Sequence, residues 1–401
     1  MNVLKLLKRK YLKVDNNVLL FMSFYGKYAD SPKVLSESIH RLAPEKKIVW
    51  SLNNIDDVAV PDYVIKIKFG SSDEDFFYGR ARAVIDNTYC DHGYFTEGDS
   101  IDSRLKFKIV TFLKNKKHQK YYSFWHGTMI KKIGSDSVRN NSFNFSCSNT
   151  TMFLDNLFAR DVMERITKNT IDIKMMGEPR NDILFRSDVN KKVLKEKLGL
   201  SIDKKIIIYA PTFRSNDDET KNVNNSGIRQ LEELDIDKLL NILAKRFGGE
   251  WVFVTRFHYH VEQAIDWKKI NKKYGDRVIN GNKSDDIMDY LVCCDAMLTD
   301  VSSCVYDFSL TNKPAFLFFP DYDHYMNDER GLYFKKEELP WDVSMNCDEL
   351  YESIKKFDQK DYCKRIDDFY KRLGFLPKEP CADKIADYIL KDLDRKNESS
   401  K

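Results

Sequence analysis

Residues 285–331 read DDIMDYLVCCDAMLTDVSSCVYDFSLTNKPAFLFFPDYDHYMNDERG. The apolar spacing predicts a helix, a short buried strand, a tight turn, a helix, a second buried strand and a long polar loop. Ala296–Thr299 is the strand, and Asp300-Val301-Ser302-Ser303 is the turn. Ser303 opens an apolar-periodic helix through Val305, Tyr306 and Phe308. Two hydroxyls at a helix start, just past the carboxyl end of a strand, suit a phosphate. The unbonded N–H groups and the helix dipole favour an anion, and the serines add donors. The competing reading makes Ser302 or Ser303 an ordinary N-cap.

Outward from that stretch the same alternation continues in both directions. Strands are expected at residues 18–23, 48–52, 63–67, 83–87, 121–125, 144–148 and 172–176. In the later half they are expected at 205–209, 250–255 and 277–279. Helices are expected at 32–42, 181–198 and 236–247, with a mostly helical tail over 348–393 and frayed residues at 394–401. Strands alternating with helices imply parallel sheets with covered faces, so the fold class is α/β. The 401 residues suggest two or three domains, and the linker after Gly199 divides the chain into two. Residues 1–199 form the first and 200–401 the second.

Composition narrows the function. Lys+Arg of 66 against Asp+Glu of 62 leaves no global nucleic-acid footprint. Residues 1–13, MNVLKLLKRKYLK, are locally basic and spaced as an amphipathic helix. That segment could lie on anionic lipid or pack on its own domain. A second basic run covers 114–120. Eight cysteines contain no CxxC, which argues for reduced thiols and against a zinc site or disulfide framework. No apolar run reaches membrane-spanning length. The expected location is cytoplasmic, dissolved or resting on a membrane face.

Ligands of parallel sheets bind beyond the carboxyl ends of strands. His126, Arg214, His258 and the Asp300/Ser302/Ser303 set fall there, and two facing domains would bring them together. His126 follows an aromatic strand and precedes Gly127-Thr128, as a general base or a packed histidine. Arg256 lies two residues before His258, a pair suited to a phosphate, with His260 a rival for His258. In Gly177-Glu178-Pro179-Arg180-Asn181-Asp182, capping by Asn181 or Asp182 and carboxylate pairing by Arg180 outweigh substrate contact. Asp321, Asp323, His324, Asp328, Glu329 and Arg330 crowd one loop without metal-ligand spacing, so a solvated or hinge loop is expected there. No Walker A, GxSxG, HExxH or dinucleotide GxGxxG motif occurs.

Taken together these residues resemble the CDP-glycerol glycerophosphotransferase family, the teichoic-acid polymerases and primases of Gram-positive bacteria. W-H-G-T-x-x-K-x-x-G matches Trp125-His126-Gly127-Thr128, Lys131 and Gly134. G-x-P-R-N-D matches Gly177, Pro179, Arg180, Asn181 and Asp182. Y-A-P-T-x-R matches Tyr209-Ala210-Pro211-Thr212 and Arg214, and T-D-x-S-S-x-x-x-D-F matches Thr299-Asp300, Ser302-Ser303 and Asp307-Phe308. R-G-x-Y-F matches Arg330-Gly331 and Tyr333-Phe334, and SFYGKYADSPK at 23–33 looks like the family's opening segment.

The resemblance implies a GT-B architecture, two Rossmann-like domains facing across a cleft, with C-terminal helices. It implies a CDP-linked alditol donor held by the later domain near Arg214, Arg256, Asp300, Ser302 and Ser303. His126 and His258 map onto the family's two functional histidines. The family usually has Pro after the second one, where this chain has Tyr259. The implied reaction moves glycerol phosphate, or another alditol phosphate, onto a hydroxyl of a lipid-linked glycan or growing teichoic-acid or capsule polymer, releasing CMP. No cofactor is called for, and nothing in the sequence decides divalent-metal use. The basic N-terminal segment would hold the enzyme at the anionic inner membrane face. A GT-B glycosyltransferase or epimerase using a UDP-sugar is the alternative enzyme, and a membrane-associated scaffold is the non-enzymatic one.

Overall fold

The structure, a computed structural model, describes residues 3–88, 116, 118–137, 150–212, 233–257 and 265–398. Two compact units divide the chain. The first comprises Met1–Thr128, Ile133–Arg186 and Leu373–Lys401, and the second comprises Met129–Lys132 and Ser187–Arg372.

The first unit holds β1 (Asp15–Phe21), β2 (Lys47–Leu52), β3 (Val64–Lys68), β4 (Ala81–Asp86), β5 (Lys120–Phe124), β6 (Thr150–Leu154) and β7 (Asp172–Met175). They form one sheet in the order β3-β2-β1-β4-β5-β6-β7, parallel throughout. The chain lays β2 and β3 on one side of β1, then returns to put β4 on the other. The β1/β4 junction is therefore the topological switch point. One face buries Leu19, Phe21, Trp50, Ile85, Tyr122 and Phe124 against Ile385, Ile389 and Leu393. The opposite face buries Val18, Leu20, Val84 and Tyr121 with Tyr78. Strands apolar on both faces are what a parallel sheet with covered sides requires.

The second unit holds β8 (Lys205–Ala210), β9 (Trp251–Thr255), β10 (Val278–Asn280), β11 (Ala296–Thr299), β12 (Ala315–Phe318) and β13 (Val343–Ser344). Their order is β10-β9-β8-β11-β12-β13, again parallel, with the switch point between β8 and β11.

The units cut the chain differently from a division after Gly199. Helix Lys191–Leu198 packs with Ile287–Cys293 and so groups with the second unit. The C-terminal helix Ala382–Glu398 returns to the first, because its apolar stripe of Ile385, Ile389 and Leu393 completes that sheet's covered face. The Arg82 guanidinium, almost fully buried, donates to the carbonyls of His118 and Leu393 and ties the helix to β4.

Several local expectations need correcting. The helix expected over 181–198 is broken into Asp182–Phe185 and Lys191–Leu198, the second restarted by the Asn190 side chain accepting from Val193 N–H. The strand expected at 144–148 lies outside the described residues, and the strand present is β6, followed by an unforeseen helix Leu157–Ile166. The polar loop after β12 contains the helix Tyr322–Asp328, with an exposed His324–Asp328 pair at 3.0 Å. Residues 394–398 continue the last helix.

The basic N-terminal helix, Val3–Tyr11, packs on its own unit. Arg9 pairs with Asp75 and lies over the Tyr78 ring at 4.2 Å. A Cβ at Gly79 would come within 3.0 Å of the Arg9 backbone, so that glycine permits the close approach. Lys116, from the second basic run, donates to the carbonyls of Arg9, Leu12 and Gly79, and burial pulls its ammonium down to about 8. Tyr11 remains 83% exposed.

Candidate active site

In the first unit the site grows from the carboxyl ends of β1, β4, β5 and β6. β5 delivers Trp125 and His126, with the two rings stacked at 4.4 Å. His126 Nδ1 lies 3.2 Å from the Asn87 main-chain oxygen, just past β4. A carbonyl oxygen can only accept, so Nδ1 carries the proton in the neutral ring and Nε2 keeps its lone pair. The Phe24 ring stands edge-on at 6.3 Å. Phe24 N–H in turn donates to Asn87 Oδ1 at 3.3 Å. A histidine so oriented is equipped to accept a proton.

The chain leaves β1 through a turn of three successive positive-φ residues, Phe24 (39°), Tyr25 (58°) and Gly26 (105°). Asn53 braces that turn with two donors. Its N–H donates to the Gly26 carbonyl at 2.8 Å, and its side-chain amide donates to the Tyr25 carbonyl. A Cβ at Gly26 would meet Asn53 N at 2.6 Å, which fixes glycine there.

Thr128 Oγ1 accepts from Asn156 Nδ2 at 3.0 Å and approaches Asp155 Oδ1 at 3.5 Å. Burial raises the Asp155 carboxyl above the ordinary range, against the lowering influence of Asn156, Arg180 and Thr128. Arg180 forms a buried pair with Asp30 at 3.3 Å, and Ser31 Oγ bridges to Glu178 and the Arg180 N–H. Asp182 accepts from the N–H groups of Cys381 and Ala382 at 2.9 Å each. Arg180 thus meets a carboxylate, as expected from the sequence. Asp182 caps a helix, but that helix is the C-terminal one rather than its immediate successor in the chain. Asn181 is buried and makes no capping bond.

In the second unit β8 and β11 end side by side. Asp300 is fully buried, and its Oδ1 accepts from Thr212 N–H at 2.9 Å and Val301 N–H at 2.5 Å. Through that oxygen its carboxylate shapes the turn between the two strand ends. Ser302 and Ser303 are half-buried at the start of helix Cys304–Ser309. Ser303 makes no side-chain capping bond, and Ser302 Oγ accepts from the Cys304 thiol at 3.1 Å. The N-cap reading of these hydroxyls is not the one adopted. Asp307 and Phe308 are buried on the same helix.

Arg256 is bound to a neighbouring loop. Its guanidinium donates to the carbonyls of Gly281, Ser284 and Asp285 and lies over Tyr290 at 5.7 Å. Five N–H donors in a fixed fork suit a loop of converging carbonyls, and both Nη1 hydrogens are engaged there. The residue organises the 281–286 loop. Arg214, His258 and the rival His260 lie outside the described residues.

Two motifs separated by some two hundred positions are joined in this unit. Lys132 N–H donates to the Gly331 carbonyl at 3.0 Å and Tyr333 N–H to the Ile130 carbonyl at 3.0 Å, making an antiparallel bridge between Lys131 and Leu332. Arg330, half-buried, precedes that bridge. Lys131 also lies close enough to Cys304 to act on its thiol, which burial pushes up to about 12. The lysine of the W-H-G-T motif is thus within electrostatic reach of the residue that follows the serine turn. Among the described residues no cluster of His, Cys, Asp or Glu could hold a metal ion.

Sequence reasoning missed Asn87, Asp155 and the Lys131 placement. Asn87 was accessible by asking which residue lies past the carboxyl end of every strand, and not of the motif-bearing ones alone.

Comparison with known proteins matches residues 4–391 to the family described as CDP-glycerol:poly(glycerophosphate) glycerophosphotransferase. A teichoic acid poly(glycerol phosphate) polymerase of Staphylococcus epidermidis is 28% identical over 95% of this chain and 52% of its own length. The chain thus spans about half the length of that relative. A teichoic acid glycerol-phosphate transferase of Staphylococcus aureus is 27% identical over 94% of each chain. A solved variant of the wall teichoic acid polymerase TagF shares 28% identity and a TM-score of 0.77, covering 98% of this chain and 93% of that one.

Proposed function

We propose that this chain, which belongs to the CDP-glycerol:poly(glycerophosphate) glycerophosphotransferase family, moves glycerol phosphate or a related alditol phosphate from a CDP-activated donor to a hydroxyl of a lipid-linked glycan or growing teichoic-acid or capsule polymer. The observation that carries the reading is His126, which follows β5 with Nδ1 held by the Asn87 carbonyl just past β4, a tautomer that puts the ring's lone pair on Nε2.

In the proposed step the acceptor oxygen attacks the donor's glycerol-bearing phosphorus. The proton of that hydroxyl passes to His126 Nε2. The bond from phosphorus to the bridging oxygen breaks, and CMP leaves with its electron pair. No covalent enzyme intermediate is needed, because positioning and electrostatic stabilisation suffice for phosphoryl chemistry. Ser302 and Ser303 stand at the second switch point, where donors at a helix start suit a diphosphate, and Lys131 lies within electrostatic reach of the following Cys304. Arg214 and His258 complete the donor side in this proposal.

The family match favours this chemistry over transfer from a UDP-sugar. The S. aureus relative that covers nearly the whole of this chain is a glycerol-phosphate transferase, which supports glycerol over ribitol. For location we infer a peripheral protein of the inner membrane face. Among the described residues no helix is long and apolar enough to cross a membrane. The N-terminal helix leaves Lys8 and Tyr11 exposed, a pairing suited to anionic headgroups.

The test is direct. Purified protein is incubated with CDP-glycerol or CDP-ribitol and a lipid-linked acceptor, and CMP is measured over time. Acceptor-dependent CMP release is expected with one donor. No CMP from either donor, together with thermal protection by UDP and not by CMP, overturns the reading.

A further inference from the structure

We propose that Ser23 Oγ and Asn87 Nδ2 form a hydroxyl-binding subsite beside His126 that holds the polyol end of the acceptor. The proposal rests on the phosphotransfer reading and assigns the side chains that position its nucleophile. Both residues are 0% exposed, and neither of these two atoms has a hydrogen-bond partner among the described residues. Each such buried orphan destabilises the fold, because it gives up water without a replacement bond. An alanine at position 23 would remove one of those penalties outright, so the pair is a place where structure alone gives no reason for the polar atoms.

Register puts the two residues together. β1 pairs with β4 through Leu19↔Ala83, Leu20↔Val84 and Phe21↔Ile85. Two residues further on, Ser23 falls beside Asn87, on the face shared by Phe21 and Ile85. The rest of Asn87 is committed. Its main-chain oxygen faces His126 Nδ1, and its Oδ1 accepts from Phe24 N–H. Those two bonds fix the orientation of the amide and leave Nδ2 as the donor next to the base.

The two orphan atoms themselves select the ligand. Asn87 Nδ2 can only donate, whereas Ser23 Oγ can donate or accept. Neither carries a charge, so the pair suits a neutral hydroxyl, which can accept from Nδ2 and exchange a bond with Ser23 Oγ. A terminal glycerol phosphate carries two free hydroxyls. One held by this pair leaves the other for His126. The orphan atoms are closed to solvent, so the acceptor reaches them when the 24–26 turn moves. Phe24 and Tyr25 at φ 39° and 58° store strain that such a movement releases.

The experiment uses Ser23→Ala in the full chain, with CDP-glycerol and a synthetic lipid ending in one glycerol phosphate unit. The melting temperature should hold or rise, the KM for CDP-glycerol should stay, and the KM for the acceptor should rise about tenfold. An acceptor ending in propanediol phosphate, which lacks the second hydroxyl, should bring wild type and variant together. Asn87→Asp, which keeps the acceptor for Phe24 N–H, should weaken the acceptor in the same direction. An unchanged acceptor KM in Ser23→Ala, or a loss that persists in full with the propanediol acceptor, overturns the subsite alone. Absence of acceptor-dependent CMP release from wild type overturns the phosphotransfer reading and the subsite with it.

Discussion

The two sheets share one strand order, apart from the additional edge strand β7 of the first, and end differently at the same topological point. At the β1/β4 junction the chain leaves through a left-handed turn beside an oriented imidazole, with two buried polar atoms unsatisfied among the described residues. At the β8/β11 junction a buried carboxylate gathers backbone N–H groups from both strand ends, and two serine hydroxyls sit half-buried at the helix start. The first arrangement keeps lone pairs and hydroxyl donors near a base. The second commits carboxylate oxygen to backbone N–H groups and leaves neutral hydroxyls half-buried at a helix start. In the proposed reaction the same fold would serve proton transfer in one unit and anion binding in the other, through the few residues set after two strands.

Replacing His126 by Ala should strike that contrast hardest. Loss of a general base costs on the order of 10²–10⁴ in kcat. Donor binding, assigned to the second unit, should be untouched, so CMP or CDP-glycerol should still raise the melting temperature. Loss of that thermal protection together with activity would show that the two rims do not divide the labour.

Arg180→Ala tests whether the first rim is held by its buried ion pair. Removing one partner leaves Asp30 buried and uncompensated, which costs about 3–5 kcal/mol. Unfolding in urea should show that loss with an unchanged slope. A loss under about 1 kcal/mol would place the pair with ordinary surface bridges.

Asp300 sharpens the other side. Asn at 300 keeps an acceptor for Thr212 and Val301 N–H, whereas Ala leaves both without it. Ala should cost about 1–3 kcal/mol and weaken donor protection, and Asn should do neither to the same degree. Equal donor loss in both variants would mean that the charge itself contacts the ligand.

Much of this was readable beforehand. The alternation of apolar strands with helices announced two parallel sheets, and Ala296–Thr299 followed by the serine turn stands where its pattern placed it. What escaped was set by contacts distant in sequence. The return of Ala382–Glu398 to the first sheet depends on Ile385 and Ile389 meeting Trp50 and Phe124, which no local period encodes. Arg256 read as an anion ligand because it lies two residues before His258, a pair suited to a phosphate. The carbonyls of Gly281, Ser284 and Asp285 claim it, and loop geometry of that kind is invisible to spacing. Asn87 carries no signature beyond its position after β4.

The smallest expected effect is a pH dependence on the first rim. Burial raises the Asp155 carboxyl above 3.8, so the folded chain holds that proton more tightly than the unfolded chain does. Ionisation therefore costs stability. The cost is absent below the unfolded value, grows as pH rises from about 4 through the folded value, and is complete above it. Asn at 155 retains an oxygen for Thr128 and Asn156 but has no proton to lose. The variant should gain on wild type as pH climbs from about 4 to about 8, and its melting temperature should fall less steeply over that interval. A residual slope is expected, because burial also raises Asp182 despite the two N–H groups it accepts. A stability difference that stays constant across the interval would mean that Asp155 ionises as easily in the folded chain as outside it, and the first rim would then be no more hostile to negative charge than the second.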